Sequence, residues 1–124
     1  MSQDTVADAL NMIMNAKKAD KGKVDVKISS KVLVSVLAIA KLKGYVKSYK
    51  TKERGIEIEL GKIHGCKAIK PRYIISSKNM EKYISRYLPA KNIGILIIST
   101  SQGLMTHQTA IEKNIGGSLI AYMF

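Results

Sequence analysis

Only one cysteine, Cys66, occurs among the 124 residues, so no internal disulfide can form, a cysteine usage that suits a reducing compartment. Long apolar runs are missing too: none approaches the ~20 residues a bilayer span needs. The opening "MSQDTVADAL" has an acid where a secretion signal carries positive charge, so no signal peptide is expected. Acids are scarce throughout, with nine Asp+Glu against 21 Lys+Arg and a formal net charge of +12.

The parts of an active site are thin as well. Ser101 lies in "STSQG", but a Gly-x-Ser-x-Gly elbow would need glycine where Ser99 stands. His64 and His107 are far apart, and neither has a carboxylate partner in the sequence. His64 with Cys66 is too little for zinc, which takes four ligands or three plus water. No Gly-x-x-x-x-Gly-Lys-Ser/Thr loop occurs, and "IGG" (Ile115 to Gly117) reads as a turn before a strand. No catalytic residue, metal or cofactor is expected.

What is present is lysine, 18 of the 21 basic residues, with 11 lysines and two aspartates between Lys17 and Lys52. Charge this far from zero repels itself in a compact chain and suits a polyanionic partner, nucleic acid first. A membrane surface fits less well, because no segment pairs the charge with a bulky apolar face.

Periodicity predicts an α+β chain. A helix spans Asp4 to Lys17, with Val6, Leu10, Ile13 and Met14 at helical spacing and a Thr5–Asp8 capping pattern. "VDVKI" (Val24 to Ile28) alternates as a strand. Ser30 caps a second helix, Lys31 to Lys43, whose inner face is expected along Val34, Leu37 and Ala40 or Lys41, flanked by Leu33 and Val36, and Gly44 ends it. "YVKSYK" and "IEIEL" form a hairpin around Thr51 to Gly55, and "KIHGCKAIK" is a further strand broken by Gly65. Pro71 marks a seam. Beyond it come "RYIIS", an amphipathic stretch from Met80 to Tyr87, a buried strand from Ile93 to Ser99, a helix from Thr106 to Asn114 and the strand "SLIAYMF". The expected architecture is α+β (α/β), with an N-terminal αβαββ domain over 1–70 and a β-rich C-terminal domain with a short helix over 71–124. The two halves are expected to share one compact body.

One stretch remains odd. "ISTSQGLMTH" (Ile98 to His107) puts three hydroxyls, an amide and a glycine after a buried apolar run. Thr106 can cap the next helix, which leaves Ser99, Thr100 and Ser101 unexplained by capping. Hydroxyls are short donors and acceptors that suit base edges, ribose and phosphate, and Gly103 would let a backbone approach.

A resemblance accounts for them. "NIGILIISTSQGLMTHQTAIEKNIGGSLIAYMF" (Asn92 to Phe124) resembles the C-terminal signature of the small-subunit ribosomal protein eight family: a Gly-Ile-x-Ile strand, Ser-Thr-Ser-x-Gly, a short helix, Gly-Gly and a closing strand. "DTVADALNMIMNAKK" and "SSKVLVSVLAIAKLKGYV" are similar to its opening and second helix, so the resemblance spans essentially the whole chain. "KPRYIIS" and "YISRYLPAKNIGI" resemble the archaeal and eukaryotic branch.

The resemblance implies a structural, non-catalytic cytoplasmic protein of the small ribosomal subunit. Such a protein binds the central domain of small-subunit ribosomal RNA directly, orders it early in assembly, and neighbours ribosomal protein five. It implies RNA contacts from Ser99, Thr100, Ser101, Gln102 and Gly103 on an irregular RNA helix, from Ser118, and from Arg72 and Tyr73, the latter through stacking or ribose. A second contact is implied through Ser30, Lys31, Asn11, Asn15 and Lys17. Gln102 departs from the lysine commonest at its position, Ser118 from the glutamate of bacterial members, and Thr5 from proline. A second reading is a free regulator that grips messenger RNA with the same surface.

Overall fold

The structure is a computed structural model that describes residues 5–27, 30–69, 73–90 and 92–124. The chain divides into two compact units, 1–66 and 67–124. This boundary lies slightly ahead of the seam expected at Pro71, because Cys66–Ala68 already forms the first strand of the second sheet.

In the first unit, α1 (Thr5–Lys18) buries Val6, Ala9, Leu10 and Ile13 and ends on Lys17 and Lys18, which suit the negative end of a helix. The Thr5 hydroxyl, expected to serve a cap with Asp8, hydrogen-bonds the Ser30 hydroxyl at 2.9 Å. The α2 helix (Lys31–Leu42) starts as expected, with the Ser30 Oγ accepting from the Leu33 N–H. Its inner face is Leu33, Val36, Leu37 and Ala40. Val34, expected there, is only half-buried, because it sits one residue round the helix from the line that meets the sheet. The strands β1 (Lys23–Val26), β2 (Val46–Lys52) and β3 (Gly55–Leu60) form an antiparallel sheet in the order β1-β3-β2. Alternation in "IEIEL" puts Ile56 and Ile58 in the core and Glu57 and Glu59 on the wetter face. Thr51 and Lys52 pair with Ile56 and Gly55, so the hairpin turn is Glu53-Arg54 alone, tighter than the expected loop.

The second unit contains β4 (Cys66–Ala68), β5 (Ile74–Ile75), a 3-10 turn (Ser77–Asn79), α3 (Met80–Tyr87), β6 (Ile95–Thr100), β7 (Gly103–Thr106), α4 (His107–Lys113) and β8 (Gly117–Met123). The sheet order is β4-β8-β6-β7, with β5 also on β8. The apolar run in β6 buries Ile95, Leu96, Ile97 and Ile98 in succession. Met80 and Ile84 of α3 join Leu96, Ile98, Met105, Ala110 and Leu119 in one core. The unit thus has two helices where one short helix is expected, and it has a strand, β7, where no element is expected. Thr106 does double duty: it ends β7 and caps α4, its Oγ accepting from the Thr109 N–H.

Candidate nucleic-acid interface

The odd hydroxyl stretch is the β6–β7 hairpin. Thr100 pairs with Gly103, leaving Ser101 and Gln102 as the turn. Gly103 has φ +107, while neither Ser101 nor Gln102 has positive φ. The turn is therefore of the ordinary type closed by a left-handed glycine, not a primed turn. No atom lies near the place of a Gly103 Cβ. The glycine serves the backbone angle, and the space beside it is open.

The three hydroxyls divide their work. Thr100 Oγ1 donates to the Gly103 carbonyl at 2.8 Å and accepts from the Gln102 N–H at 3.1 Å, so it builds the turn. Ser99 and Ser101 are exposed, and neither hydroxyl has a hydrogen-bond partner among the described residues.

Strand register extends the site. Ile74 faces Ser118, Ser118 faces Ser99, and Ser99 faces Leu104. Paired residues share a face, so these four make one row across β5, β8, β6 and β7, with Ile74 86% exposed at its end. Gly116 and Gly117, expected as a plain turn, let the strands close up around this row. A Cβ on Gly116 would collide with the Ile75 carbonyl, and one on Gly117 with the Ser99 carbonyl.

Charge reaches the turn from α4. Lys113 Nζ donates to Gln102 Oε1 at 3.4 Å, so the hairpin that lacks its own cation has one beside it. Asn114 ends α4 in the left-handed region (φ 56), and its Oδ1 accepts from Ser77 Oγ at 2.6 Å. His107 is 3% exposed, and its Nδ1 accepts from the Leu96 N–H at 3.1 Å. The β7 strand stops pairing at Ile97, so the imidazole carries the ladder one residue further and ties α4 to β6.

Tyr73 joins through its backbone, its carbonyl accepting from the Leu119 N–H at 2.8 Å next to Ser118. Its half-buried ring lies 5.8 Å from Tyr83, and Arg86 lies over the Tyr83 ring at 5.6 Å. Arg72 lies outside the described residues.

The first-unit candidates are more scattered. Ser30 spends its hydroxyl on Leu33 and Thr5, while Lys31 beside it is exposed. Asn11 and Asn15 lie one turn apart on the wet side of α1. Lys18 continues their line, whereas Lys17 sits roughly 200° round the axis from Asn15. Lys18 is exposed, and helical spacing alone places it beside Asn11 and Asn15. Asn15 also lines a groove of about 500 Å³ with Met12, Lys21, Lys23 and Asp25. The structure brings Ser99, Thr100, Ser101, Gln102, Gly103 and Ser118 together, with the Tyr73 backbone beside them. It does not gather Ser30, Lys31, Asn11, Asn15 and Lys17 into one cluster.

The family model for Ribosomal protein S8 matches residues 4–124. The chain belongs to the ribosomal protein S8 family. It is therefore a small-subunit ribosomal protein that binds ribosomal RNA and serves translation alongside other ribosomal proteins, in a family of structural rather than catalytic proteins. No helix among the described residues is long and apolar enough to cross a membrane.

Proposed function

We propose that this S8-family chain, cytoplasmic and of the archaeal and eukaryotic type, binds the central domain of small-subunit ribosomal RNA directly. It orders that RNA during assembly and lies beside ribosomal protein five. The observation that carries the reading is the division of labour in the β6–β7 turn: Thr100 holds the turn internally, which frees the flanking Ser99 and Ser101 for an outside partner. A-form RNA hides its major-groove edges but displays 2′-hydroxyls and base edges in a wide, shallow minor groove. Short neutral hydroxyls fit that surface. Ser118 lengthens the row, the backbone N–H of Ser101 and the Gln102 amide offer further donors, and Lys113 supplies charge for a phosphate. Tyr83 packs beside the Tyr73 ring, so a ribose contact suits Tyr73 better than stacking of a base. Arg72 is a phosphate contact by its chemistry. Lys31, Ser30, Asn11, Asn15 and Lys17 form the second, looser contact, which positions the RNA more than it reads it.

The test is a footprint of the full chain on small-subunit ribosomal RNA with a salt titration. We expect protection of one irregular helix in the central domain and a log–log salt slope of about −3 to −6. Protection spread over many helices, or a slope steeper than about −10, would overturn the reading in favour of nonspecific charge binding.

A further inference from the structure

Among the described residues, three of the four α-helices show water a polar face. On α1 the outer line is Asp8, Asn11, Asn15 and Lys18, all exposed. On α3 Glu81, Lys82, Ser85 and Arg86 are exposed, and on α4 Gln108, Glu112 and Lys113 are, beside Ile111. The exception is α2. Its outer line at the same helical spacing is Lys31, Ser35, Ala38 and Leu42. Beyond Lys31 that line has no charge, and Leu42 is 84% exposed. Val32 (38% exposed) and half-buried Ile39 widen the apolar strip on one side. An exposed apolar strip on a helix is a surface that expects cover.

The rim of the strip says what covers it. Lys31 stands at one end and Lys41 and Lys43 at the other. Lys41 leans over the Tyr49 ring at 6.0 Å. No acid occurs between Asp25 and Glu53 in the sequence. RNA suits this strip poorly, since Ala38, Ile39 and Leu42 offer nothing to phosphates or to stacked bases. A second copy of the chain is a poor occupant too, since antiparallel pairing of two such strips sets Lys41 and Lys43 against Lys31 of the other copy.

We propose that the outer face of α2 docks an apolar, acid-flanked segment of a neighbouring protein in the small ribosomal subunit. Leu42 is the anchor, Val32, Ala38 and Ile39 are the floor, and Lys41 and Lys43 pair with the flanking carboxylates, while Lys31 at the far end stays with the RNA contact. The proposal needs the chain to sit in the subunit, as its family does, but does not depend on the hydroxyl turn.

The test uses assembled small subunits that carry the full chain with a benzophenone side chain at position 38, and a control with it at position 18. The expected result is a protein adduct at position 38 that maps to an apolar segment flanked by Asp or Glu. An adduct to ribosomal RNA, a crosslinked dimer of this chain, or no adduct at position 38 overturns the proposal. In parallel, Leu42→Glu should dissociate from subunits in a salt wash about tenfold faster than the parent chain. Leu42→Met should stay within about twofold, because it keeps the apolar contact. Both should bind naked ribosomal RNA as the parent does. Equal retention of Leu42→Glu and the parent on subunits, or a comparable loss of naked-RNA binding by Leu42→Glu, overturns the docking proposal. Failure of the parent itself to bind naked RNA would count against the hydroxyl-turn reading and leave the docking result to stand alone.

Discussion

The two units carry hairpins of the same backbone design and opposite chemistry. Lys52-Glu53-Arg54-Gly55 joins β2 to β3, and Thr100-Ser101-Gln102-Gly103 joins β6 to β7; each is a two-residue turn closed by a glycine of positive φ, +106 in the first and +107 in the second. The first is charged and internally paired. Lys52 Nζ lies 2.7 Å from a Glu57 oxygen and 3.6 Å from one of Asp25, and Lys47 lies 3.6 Å from Glu59. The second is uncharged, spends one hydroxyl on itself and leaves two outward. Net charge does not separate the units: residues 1–66 hold thirteen basic and seven acidic residues, residues 67–124 eight and two, or +6 in each. The difference is in how polar groups are spent. The first hairpin pairs Lys52 and Lys47 with carboxylates of its own unit, while the second leaves the Ser99 and Ser101 hydroxyls facing outward.

The sharpest way to break the comparison is at the closing glycines. Gly55 is hemmed in, since a Cβ there would strike the Val26 carbonyl oxygen, whereas Gly103 faces open space. Gly55→Ala combines strained φ with a backbone collision and should cost at least about 3 kcal/mol. Gly103→Ala meets only the φ term, about 1–2 kcal/mol. Urea unfolding of both variants checks this, and equal losses would show that the hairpins are not held in different ways.

The next effect concerns Cys66, the last residue of the first unit and the first of β4. Burial pushes the Cys66 thiol up to about 12 from 9.0, and its S–H donates to the Leu10 carbonyl at 3.6 Å. The folded state holds that proton more tightly than the unfolded one. Stability is therefore whole below about pH 9 and falls as pH rises toward 12. Between pH 8 and pH 10 the loss should be about 1.4 kcal/mol. Tyr45, also raised by partial burial, acts in the same direction at higher pH, so the fair reading is the difference from Cys66→Ala, which should lack this part of the slope.

A smaller effect is expected at Thr100. Thr100→Val removes both turn bonds at an exposed site and should cost about 0.5–1 kcal/mol in urea unfolding. The smallest is at Glu57. Its carboxyl is lowered by the Lys52 hydrogen bond and charge, and Lys52 is raised in turn chiefly by the same bond, yet both groups are solvent-screened. Glu57→Gln should leave the urea midpoint within replicate scatter, and a clear drop would show that the first hairpin depends on its ion pairs.

These contrasts also show where sequence reasoning reached and where it stopped. Helix caps are local, so Ser30 and Thr106 were legible from residue type and spacing, and both cap as expected. The run in β6 was legible because a continuous apolar stretch has few alternatives. Gly117 reads as a turn residue, yet it makes room for the Ser99 carbonyl of the paired strand, while Gly103 sets a backbone angle. A glycine that sets φ and a glycine that makes room look alike in one dimension, and only the paired strand tells them apart. The β7 strand is too short for period-two alternation to register, and it shares Thr106 with the next helix. His107 has no sequence signal for its bond to Leu96, since the partner is a backbone N–H that any residue would present. The row Ile74–Ser118–Ser99–Leu104 spans four strands and exists only through register.

On the proposed function the second hairpin, not the more charged first one, reads the RNA. The direct test is a set of dissociation constants on one fragment of central-domain ribosomal RNA for Ser99→Ala, Ser101→Ala, Arg54→Ala and Lys47→Ala, with thermal melts to confirm that each fold is intact. A hydrogen bond lost at a desolvated contact costs about 1–3 kcal/mol, while one exposed charge contributes well under 1. Ser99→Ala or Ser101→Ala should therefore weaken binding roughly tenfold to a hundredfold, and Arg54→Ala or Lys47→Ala less than about threefold. Losses from Arg54→Ala or Lys47→Ala that exceed those from both serine variants would contradict the claim and make the hydroxyl turn a structural hairpin only.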